Sequence, residues 1–347
     1  MKSMPNPDFY PALPYLSAHL PGTGGVIRQE TEDFSVEEIP LYLPSGVGEH
    51  IYCWIEKRNL TTRAALEIIS AGTGCPMESI GVAGLKDKFA VSQQWISLPA
   101  RYGARLAPGE LAPGLYLWET RRHSNKLGVG HLLGNRFQVR VREAPGTVAQ
   151  AAAILSFLAP LGVPNYFGPQ RFGLQGQNPA KGYQLLANSK GRGKPWLKRF
   201  LIGSVQSLFF NAWIAERIRE DLFVNLMVGD VAKKHTTGGI FTVEDPASEN
   251  PRAQAFEISA TGPLFGRKYF RSQGPAQELE ERVLAQMGLT PEQFNARHGA
   301  RRFIRFPLGQ VNLEATDDGY RLDFSLPKGS YATSLLREVM KNIPDHQ

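Results

Sequence analysis

The sequence RFQVRVR at residues 136–142 alternates strictly between polar and apolar side chains. Successive side chains of a β-strand point to opposite faces, so this pattern predicts a strand with one buried face and one polar face. The polar face carries three arginines. Arginines in this arrangement fit a solvated antiparallel strand and an RNA-facing strand equally well, and both interpretations stay open at this point.

Further strands are predicted on both sides of this stretch. Residues 320–326 alternate in the same way and follow residues 311–313 across the turn DDG at residues 317–319, which predicts a hairpin. Short strands are also predicted at residues 26–27, 34–36, 51–55, 80–84 and 91–98.

Helical patterns occupy much of the remaining sequence. Apolar stripes and capping residues predict helices after a cap at Thr62, at residues 149–159, 204–215 and 275–287, and after a cap at Ser330. A capping box at residues 290–293 predicts one more helix. Strands at both ends with helices between them indicate an α+β fold. We expect a sheet domain of residues 1–160 plus 306–347, interrupted by an inserted, helix-rich domain of residues 161–305.

Composition and charge point to an anionic partner. The chain has 347 residues and a hydrophobic content of 42%, which is enough for two domains with substantial cores. It carries 39 Lys and Arg against 32 Asp and Glu, a net charge of +7, and nucleic acid is the commonest partner of such chains. Three basic stretches contain no acid, namely residues 121–126, 190–199 and 297–305. Together they favour a surface that binds a polyanion.

Several common classes of protein find no support in the sequence. It contains no P-loop, no GxSxG elbow, no GxGxxG fingerprint and no HExxH pair. Cys53 and Cys75 lie far apart and form no CxxC, which argues against a disulfide framework and a zinc site. No apolar stretch approaches the roughly 20 residues that cross a bilayer, and no signal peptide is visible. We therefore expect a soluble, cytoplasmic protein without a metal site.

Residues 84–88, GLKDK, form a charged turn between two predicted strands. Asp87 lies between Lys86 and Lys88, and the two cations favour its anionic form. Such a carboxylate suits a nucleophile or an electrostatic partner better than a general acid. Residue chemistry alone nevertheless favours a charged turn on the surface.

Residues 165–173, NYFGPQRFG, combine aromatic rings, amides, glycines and an arginine. This composition fits a site that stacks single-stranded or flipped bases. It fits a packed corner with tight glycine turns equally well.

Five segments, taken in chain order, resemble motifs of the TruD family of tRNA pseudouridine synthases. They are EDF at residues 32–34, GLKDKFAVSQQW at 84–95, GNRF at 134–137, PNYFGPQRFG at 164–173 and LPKGSYATS at 326–334. Each segment is a weak signal by itself. The five in family order are specific, and the resemblance spans most of the chain.

The resemblance implies a fold, an activity and a set of site residues. The fold is a pseudouridine synthase core with a mixed, mainly antiparallel sheet and an inserted helix-rich TRUD domain. The activity is isomerisation of uridine to pseudouridine at position 13 in the D arm of glutamate tRNA, without metal or cofactor. Asp87 takes the catalytic role, and Phe34, Asn135 and Tyr331 contact the substrate. The partner is tRNA, and a cytoplasmic monomer is expected.

Some questions remain open at the level of sequence. Asp87 assists cleavage of the glycosidic bond, either by attacking C1′ or by removing a ribose proton. Arg28 and Lys86 are both able to pair with Asp87. Tyr331 stands where the family more often has Phe. The alternative function is a non-catalytic RNA-binding module on the same fold, although such a module has no need of Asp87; a modifying enzyme with a different RNA target is a third.

Overall fold

The structure is a computed structural model that describes residues 13–144, 147–187 and 194–342. Its internal contacts divide the chain into two compact units. The sheet unit comprises Gly22–Ala152 and Leu308–Ser330. The helical unit comprises Met1–Pro21, Ala153–Pro307 and Tyr331–His346. These units are defined by contacts within the chain. The predicted division by function stays a prediction, with a catalytic domain of residues 1–160 plus 306–347 and an inserted domain of residues 161–305.

The strands and helices are numbered here in chain order. The strands are β1 Val26–Ile27, β2 Phe34–Pro40, β3 His50–Arg58, β4 Gly81–Val82, β5 Val91–Pro99, β6 Gly109–Ala112, β7 Leu115–His123, β8 Leu132–Arg142, β9 Val163–Pro164, β10 Val231–Lys234, β11 Ile240–Thr242, β12 Ile258–Leu264, β13 Ala300–Phe303, β14 Arg305–Phe306, β15 Val311–Thr316 and β16 Gly319–Pro327. The helices are α1 Thr62–Thr73, α2 Val148–Leu161, α3 Gln177–Ala187, α4 Pro195–Arg219, α5 Pro246–Gln254, α6 Gly274–Gln286 and α7 Ala332–Met340.

One ten-stranded sheet forms the sheet unit. Its order is β15-β16-β8-β2-β5-β3-β7-β6, with β1 added to β8 and β4 added to β5. Among the described strands of this sheet, β2 and β5 pair in parallel and the other pairs are antiparallel. The mixed, mainly antiparallel sheet and the several helices confirm the predicted fold class.

Strand β8 contains the alternating stretch with which the sequence analysis began. Within residues 136–142 the apolar side chains are buried, and the three arginines each meet a carboxylate. Arg136 pairs with Glu37, Arg140 pairs with Asp318, and Arg142 contacts both Asp33 and Asp318. This pairing favours the solvated strand over the RNA-facing strand.

Helix α1 packs on β3 and β5 through Ile55, Ala65 and Ile96, all of which are buried. The prediction that Thr62 caps this helix is wrong. Thr61 is the cap, and its hydroxyl accepts a hydrogen bond from the backbone of Ala64. The hydroxyl of Thr62 is therefore available to accept a hydrogen bond from the backbone of Lys86.

The helical unit has its core around α4, where Phe209, Phe210 and Trp213 are buried. Three boundaries differ from those predicted. Helix α4 begins at Pro195 and not at Ser204, because proline at the first turn is compatible with a helix start. The helix predicted from the capping box at residues 290–293 is a single 3₁₀ turn, Pro291–Phe294, although the capping box forms. The last helix is preceded by Tyr331, not capped by Ser330.

The aromatic segment at residues 165–173 is a packed corner. Tyr166 is 1% exposed and Phe167 is 7% exposed, so neither ring offers a face to a base. Asn211 closes the corner, since its side-chain amide bonds both the N–H and the C=O of Phe167. The stacking interpretation is therefore wrong for these two rings.

The basic stretches are less uniform than the sequence indicates. Lys190 and Arg192 lie outside the described residues. In the stretch at residues 297–305, Arg301 is buried against Glu280 at 2.9 Å and Arg305 is also buried. Within the described parts of the chain, no helix combines the length and the apolar content needed to cross a bilayer.

Candidate active site

An ion pair between Arg28 and Asp87 lies at the centre of the candidate site. Nη2 of Arg28 is 3.0 Å from Oδ2 of Asp87, and the side chains are 11% and 34% exposed respectively. The sequence left the partner of Asp87 open between two cations, and the structure selects Arg28. The carboxylate therefore meets a buried cation on one side and remains accessible to a ligand.

Arg28 is energetically unfavourable in two respects, the burial of its charge and the conformation of its backbone. Burial lowers its pKa, and the contact with Asp87 opposes that effect. Its backbone is left-handed, with φ at 64°, which costs a non-glycine residue about 1 kcal/mol or more. Strain of this kind persists where the surrounding structure holds the residue in place, as it does here.

Three side chains hold the turn that carries Asp87. The ammonium group of Lys57 donates a hydrogen bond to the backbone carbonyl of Asp87. The hydroxyl of Thr62 accepts from the backbone N–H of Lys86 at 2.8 Å. The amide of Gln94 donates to the carbonyl three residues before Asp87 at 3.1 Å. The backbone on both sides of the carboxylate is thus fixed by neighbouring elements.

Lys57 is fully buried within β3. Burial lowers its pKa to about 8, repulsion from Lys86 adds to that, and the carboxylate of Asp87 opposes it. Burying the charged form of a lysine is unfavourable. Its use to hold this turn indicates that the fold fixes the position of Asp87 closely.

Lys86 and Glu38 form a buried ion pair beside the site. Nζ of Lys86 is 2.9 Å from Oε2 of Glu38, and the side chains are 4% and 1% exposed. Burial raises the pKa of Glu38, and the ammonium of Lys86 opposes the rise. The same Nζ donates to Oδ1 of Asn135 at 2.8 Å. Because an ammonium group only donates, the amide oxygen of Asn135 faces Lys86 and its NH₂ group is left for another acceptor.

Phe34 is buried under Arg28. The guanidinium carbon of Arg28 lies 4.1 Å from the centre of the Phe34 ring, and the ring meets Phe137 edge to face. Phe34 is only 1% exposed. The structure therefore places this predicted substrate contact beneath the arginine that holds Asp87.

Tyr331 belongs to the helical unit, where it precedes α7. Its ring centre is 6.0 Å from that of Phe167, and the guanidinium carbon of Arg302 is 5.9 Å from it. The structure thus brings Phe34, Asn135 and Asp87 together within the sheet unit and sets Tyr331 among aromatic and cationic neighbours of its own unit.

Roles for Lys57, Gln94 and Glu38 were not predicted from the sequence. Each is a polar residue within a strand, but each also stands next to another polar residue in the sequence, so the local pattern does not single it out. Within the described residues, no group of three or more His, Cys, Asp or Glu side chains is arranged to hold a metal ion.

Comparison with known proteins identifies the fold first. A crystal structure from Methanosarcina mazei, of a protein described as a candidate tRNA pseudouridine synthase D, superimposes with a TM-score of 0.77. The match covers 99% of both chains at 24% sequence identity, so the two proteins share one fold.

Sequence comparison then identifies the family. The family model described as tRNA pseudouridine synthase D (TruD) matches residues 12–190 and 192–339. The chain is 56% identical over 328 residues to a tRNA pseudouridine synthase D of Thermus thermophilus, covering 94% of this chain and 92% of the relative. It is 46% identical over 340 residues to the protein of that name from Anaeromyxobacter sp., covering 94% and 96%. The chain belongs to the tRNA pseudouridine synthase D family, a family of isomerases, as the five motifs predict.

Proposed function

We propose that the chain converts a uridine in the D arm of tRNA, at position 13 of glutamate tRNA, to pseudouridine, with Asp87 as the catalytic carboxylate. One observation carries the assignment of Asp87. It is a partly exposed carboxylate, 3.0 Å from a buried arginine and carried on a turn held by neighbouring elements, in a chain of this family. From the family resemblance we also propose that the protein acts on tRNA as a cytoplasmic monomer.

The reaction balances without a cofactor. The bond between N1 of uracil and C1′ of the ribose breaks, the uracil turns, and C5 bonds to C1′. The proton on C5 then leaves to a base, and N1 takes up a proton. A carboxylate paired with Arg28 is suited to either opening step, attack on C1′ or removal of a ribose proton.

Asn135 provides a means of recognising uracil. Since Lys86 holds its amide oxygen, its NH₂ group is available as a donor, and both uracil carbonyls are acceptors. Cytosine would present an amino group at the position of one of these carbonyls, donor against donor. The amide is therefore suited to select uracil.

Exposed apolar side chains flank Asp87. Leu85 is 78% exposed and Phe89 is 43% exposed, on the two sides of the carboxylate in the sequence. A flipped base needs apolar surface to replace the stacking it loses, at a cost of a few kcal/mol. We assign that role to these side chains and a contact with the substrate to Tyr331, while Phe34 supports the site through Arg28.

The test is pseudouridine mapping in an unmodified glutamate tRNA transcript incubated with wild type, Asp87→Asn or Asp317→Asn. Asp317 is an exposed turn residue of the same unit, so its variant loses one negative charge elsewhere. We expect modification of one D-arm uridine with wild type and Asp317→Asn. Asp87→Asn should give none, with tRNA affinity within a few-fold of wild type.

Two outcomes would change the assignment. Pseudouridine formed by Asp87→Asn would remove Asp87 from the chemistry. Tight tRNA binding with no pseudouridine from wild type would favour a binding module.

A further inference from the structure

Two arginines of the helical unit converge on one glycine of α4. A Cβ added to Gly203 would lie 2.5 Å from Nη2 of Arg171 and 3.0 Å from Nη1 of Arg297. The two guanidinium groups are therefore neighbours, and they approach the helix backbone only because residue 203 has no side chain. Arg171 comes from the packed aromatic corner, and Arg297 follows the 3₁₀ turn Pro291–Phe294.

Neither arginine has its charge neutralised by a carboxylate of the described residues. In residues 13–144, 147–187 and 194–342, no carboxylate lies within ion-pair distance of Arg171 or Arg297. Nε of Arg171 donates to the hydroxyl of Ser207 at 3.0 Å, and Nη1 of Arg297 donates to the carbonyl of Arg199 at 2.6 Å. Both acceptors are uncharged.

The arrangement is electrostatically unfavourable without a ligand. Burial lowers the pKa of Arg171, and burial followed by repulsion from Arg171 and Arg199 lowers the pKa of Arg297. Partial burial removes water from both cations and strengthens their repulsion. Unbalanced charges of this kind are expected at functional sites, where a bound ligand supplies the opposite charge.

Two buried arginines of the same unit have acids. Arg217 is buried against Asp230 at 2.7 Å, and Arg301 is buried against Glu280 at 2.9 Å. The buried guanidinium of Arg305 has no carboxylate among the described residues, but burial alone lowers its pKa, and it donates to a hydroxyl and two backbone carbonyls. Arg171 and Arg297 differ from Arg305 in that two guanidinium groups lie side by side without a described carboxylate, and an anion from outside the chain would relieve their repulsion.

We infer that Arg171 and Arg297 bind a backbone phosphate of an RNA. Paired guanidinium groups present several donors in fixed planes, which suits a phosphate's oxygens. This inference rests on the proposed function, since it concerns the tRNA on which the enzyme acts.

Neighbouring aromatic residues favour RNA over free phosphate. Phe200 is 40% exposed, and the guanidinium carbon of Arg171 is 5.5 Å from its ring centre. Trp196 is 59% exposed and lies four residues earlier, on the same side of α4. A cationic site beside exposed aromatic rings is typical of surfaces that bind single-stranded nucleic acid, where phosphates meet the cations and bases stack.

The test compares tRNA binding by Arg171→Gln/Arg297→Gln with binding by Lys268→Gln/Arg271→Gln. The control removes two exposed cations of the same unit that form no ion pair within the described residues. Affinity for an unmodified tRNA transcript is measured between about 50 and 200 mM salt. We expect the site variant to bind about tenfold more weakly, with a salt slope smaller by about 0.7–0.9 for one lost phosphate, and the control to bind like wild type.

Two single variants protect the test from a folding defect. Arg297→Gln retains the more central Arg171 and should weaken binding while its thermal stability without RNA stays equal or rises, because repulsion is relieved. Gly203→Ala keeps both charges and displaces the guanidinium groups, so it should weaken binding in the same way.

Each outcome has a defined meaning. Equal affinity and salt slope for site variant and wild type would overturn the inference, as would an equal loss in the control. Inorganic phosphate that binds wild type and not the site variant, with tRNA binding unaltered, would reassign the site to free phosphate. Pseudouridine formation by wild type is assayed in parallel, so a failure of the proposed function is recognised separately.

Discussion

Nη2 of Arg28 and Oδ2 of Asp87 meet at 3.0 Å although 59 positions separate the two residues in the chain. They meet because β2 and β5 pair in parallel, with Ser35 opposite Val91. Parallel strands begin at the same edge of a sheet, and Arg28 and Asp87 each precede one of these strand starts. An antiparallel pairing would place the two strand starts at opposite edges.

Loss of Arg28 should impair chemistry more than folding. Arg28→Gln removes the cation beside Asp87, and we expect kcat to fall by about a hundredfold, the scale seen when one preorganised electrostatic contact is deleted. Arg28→Lys keeps the charge and should recover part of the loss. Single-turnover rates of pseudouridine formation measure both. Arg136→Gln, which removes an exposed arginine, is the control and should stay within a few-fold of wild type. Equal rates for Arg28→Gln and wild type would contradict the role of the ion pair.

The buried Lys57 should make stability depend on alkaline pH. Its pKa in the folded protein is about 8, against 10.5 as the ordinary value. Between these values the unfolded chain binds more protons than the folded one, so stability rises with pH across that window, by up to about 3 kcal/mol. Urea unfolding of wild type and Lys57→Met from pH 7 to pH 10.5 measures the effect. The variant should lack the rise, and parallel curves for the two proteins would refute the prediction.

The Lys86–Glu38 pair should contribute strongly to stability when one partner is removed. Lys86→Met leaves the Glu38 carboxylate buried and unpaired, which we expect to cost about 3–5 kcal/mol in urea unfolding. Lys86→Met/Glu38→Leu should cost less than the single variant, since it leaves no orphaned charge. Arg63→Gln breaks an exposed pair with Glu67 and should cost under about 0.5 kcal/mol. Additive costs in the double variant would argue against coupling.

Asn135→Asp separates recognition from folding. The new carboxylate still accepts from Lys86, so thermal stability should change by no more than about 1 kcal/mol. It has no NH₂ group to offer a uracil carbonyl, and we expect pseudouridine formation to slow at least tenfold. Melting temperatures and initial rates on the same tRNA transcript give the two quantities. A wild-type rate in this variant would mean that the amide does not read the base.

Much of the sheet was predictable from the sequence, because its signals are local. The alternation at residues 136–142 gives β8, and the DDG turn gives the β15–β16 hairpin. Helix α3 and the first turns of α4 were missed. Residues 195–203 expose Trp196 and Phe200 and so lack the apolar stripe of a buried helix. The capping box at Thr290 does form, yet capping fixes only a first turn and the helix does not continue.

The residues of the candidate site also fall into two groups, those that a local motif predicts and those that depend on tertiary structure. Asp87 and Asn135 are carried by short motifs, so resemblance was able to name them. The choice of Arg28 over Lys86 as partner depends on which strands pair in parallel, and no local pattern contains that. The burial of Phe34 under Arg28 likewise follows from tertiary packing. Lys57 lies between Glu56 and Arg58 at the polar end of β3, so nothing in the local sequence distinguishes it from its charged neighbours.

The parallel pairing of β2 and β5 also has a consequence for the order of folding. A parallel pair needs a crossover connection, and here the crossover contains β3, α1 and β4. Closing so long a segment costs chain entropy before any contact repays it, and contacts of high sequence separation form slowly. A chain still leaving the ribosome with β2 complete and β5 unformed therefore carries Arg28 without its carboxylate partner. With Asp87 as the proposed catalytic carboxylate, we expect activity only after the sheet has closed around its crossover, so the first pseudouridine made by a new molecule would show that its sheet is complete.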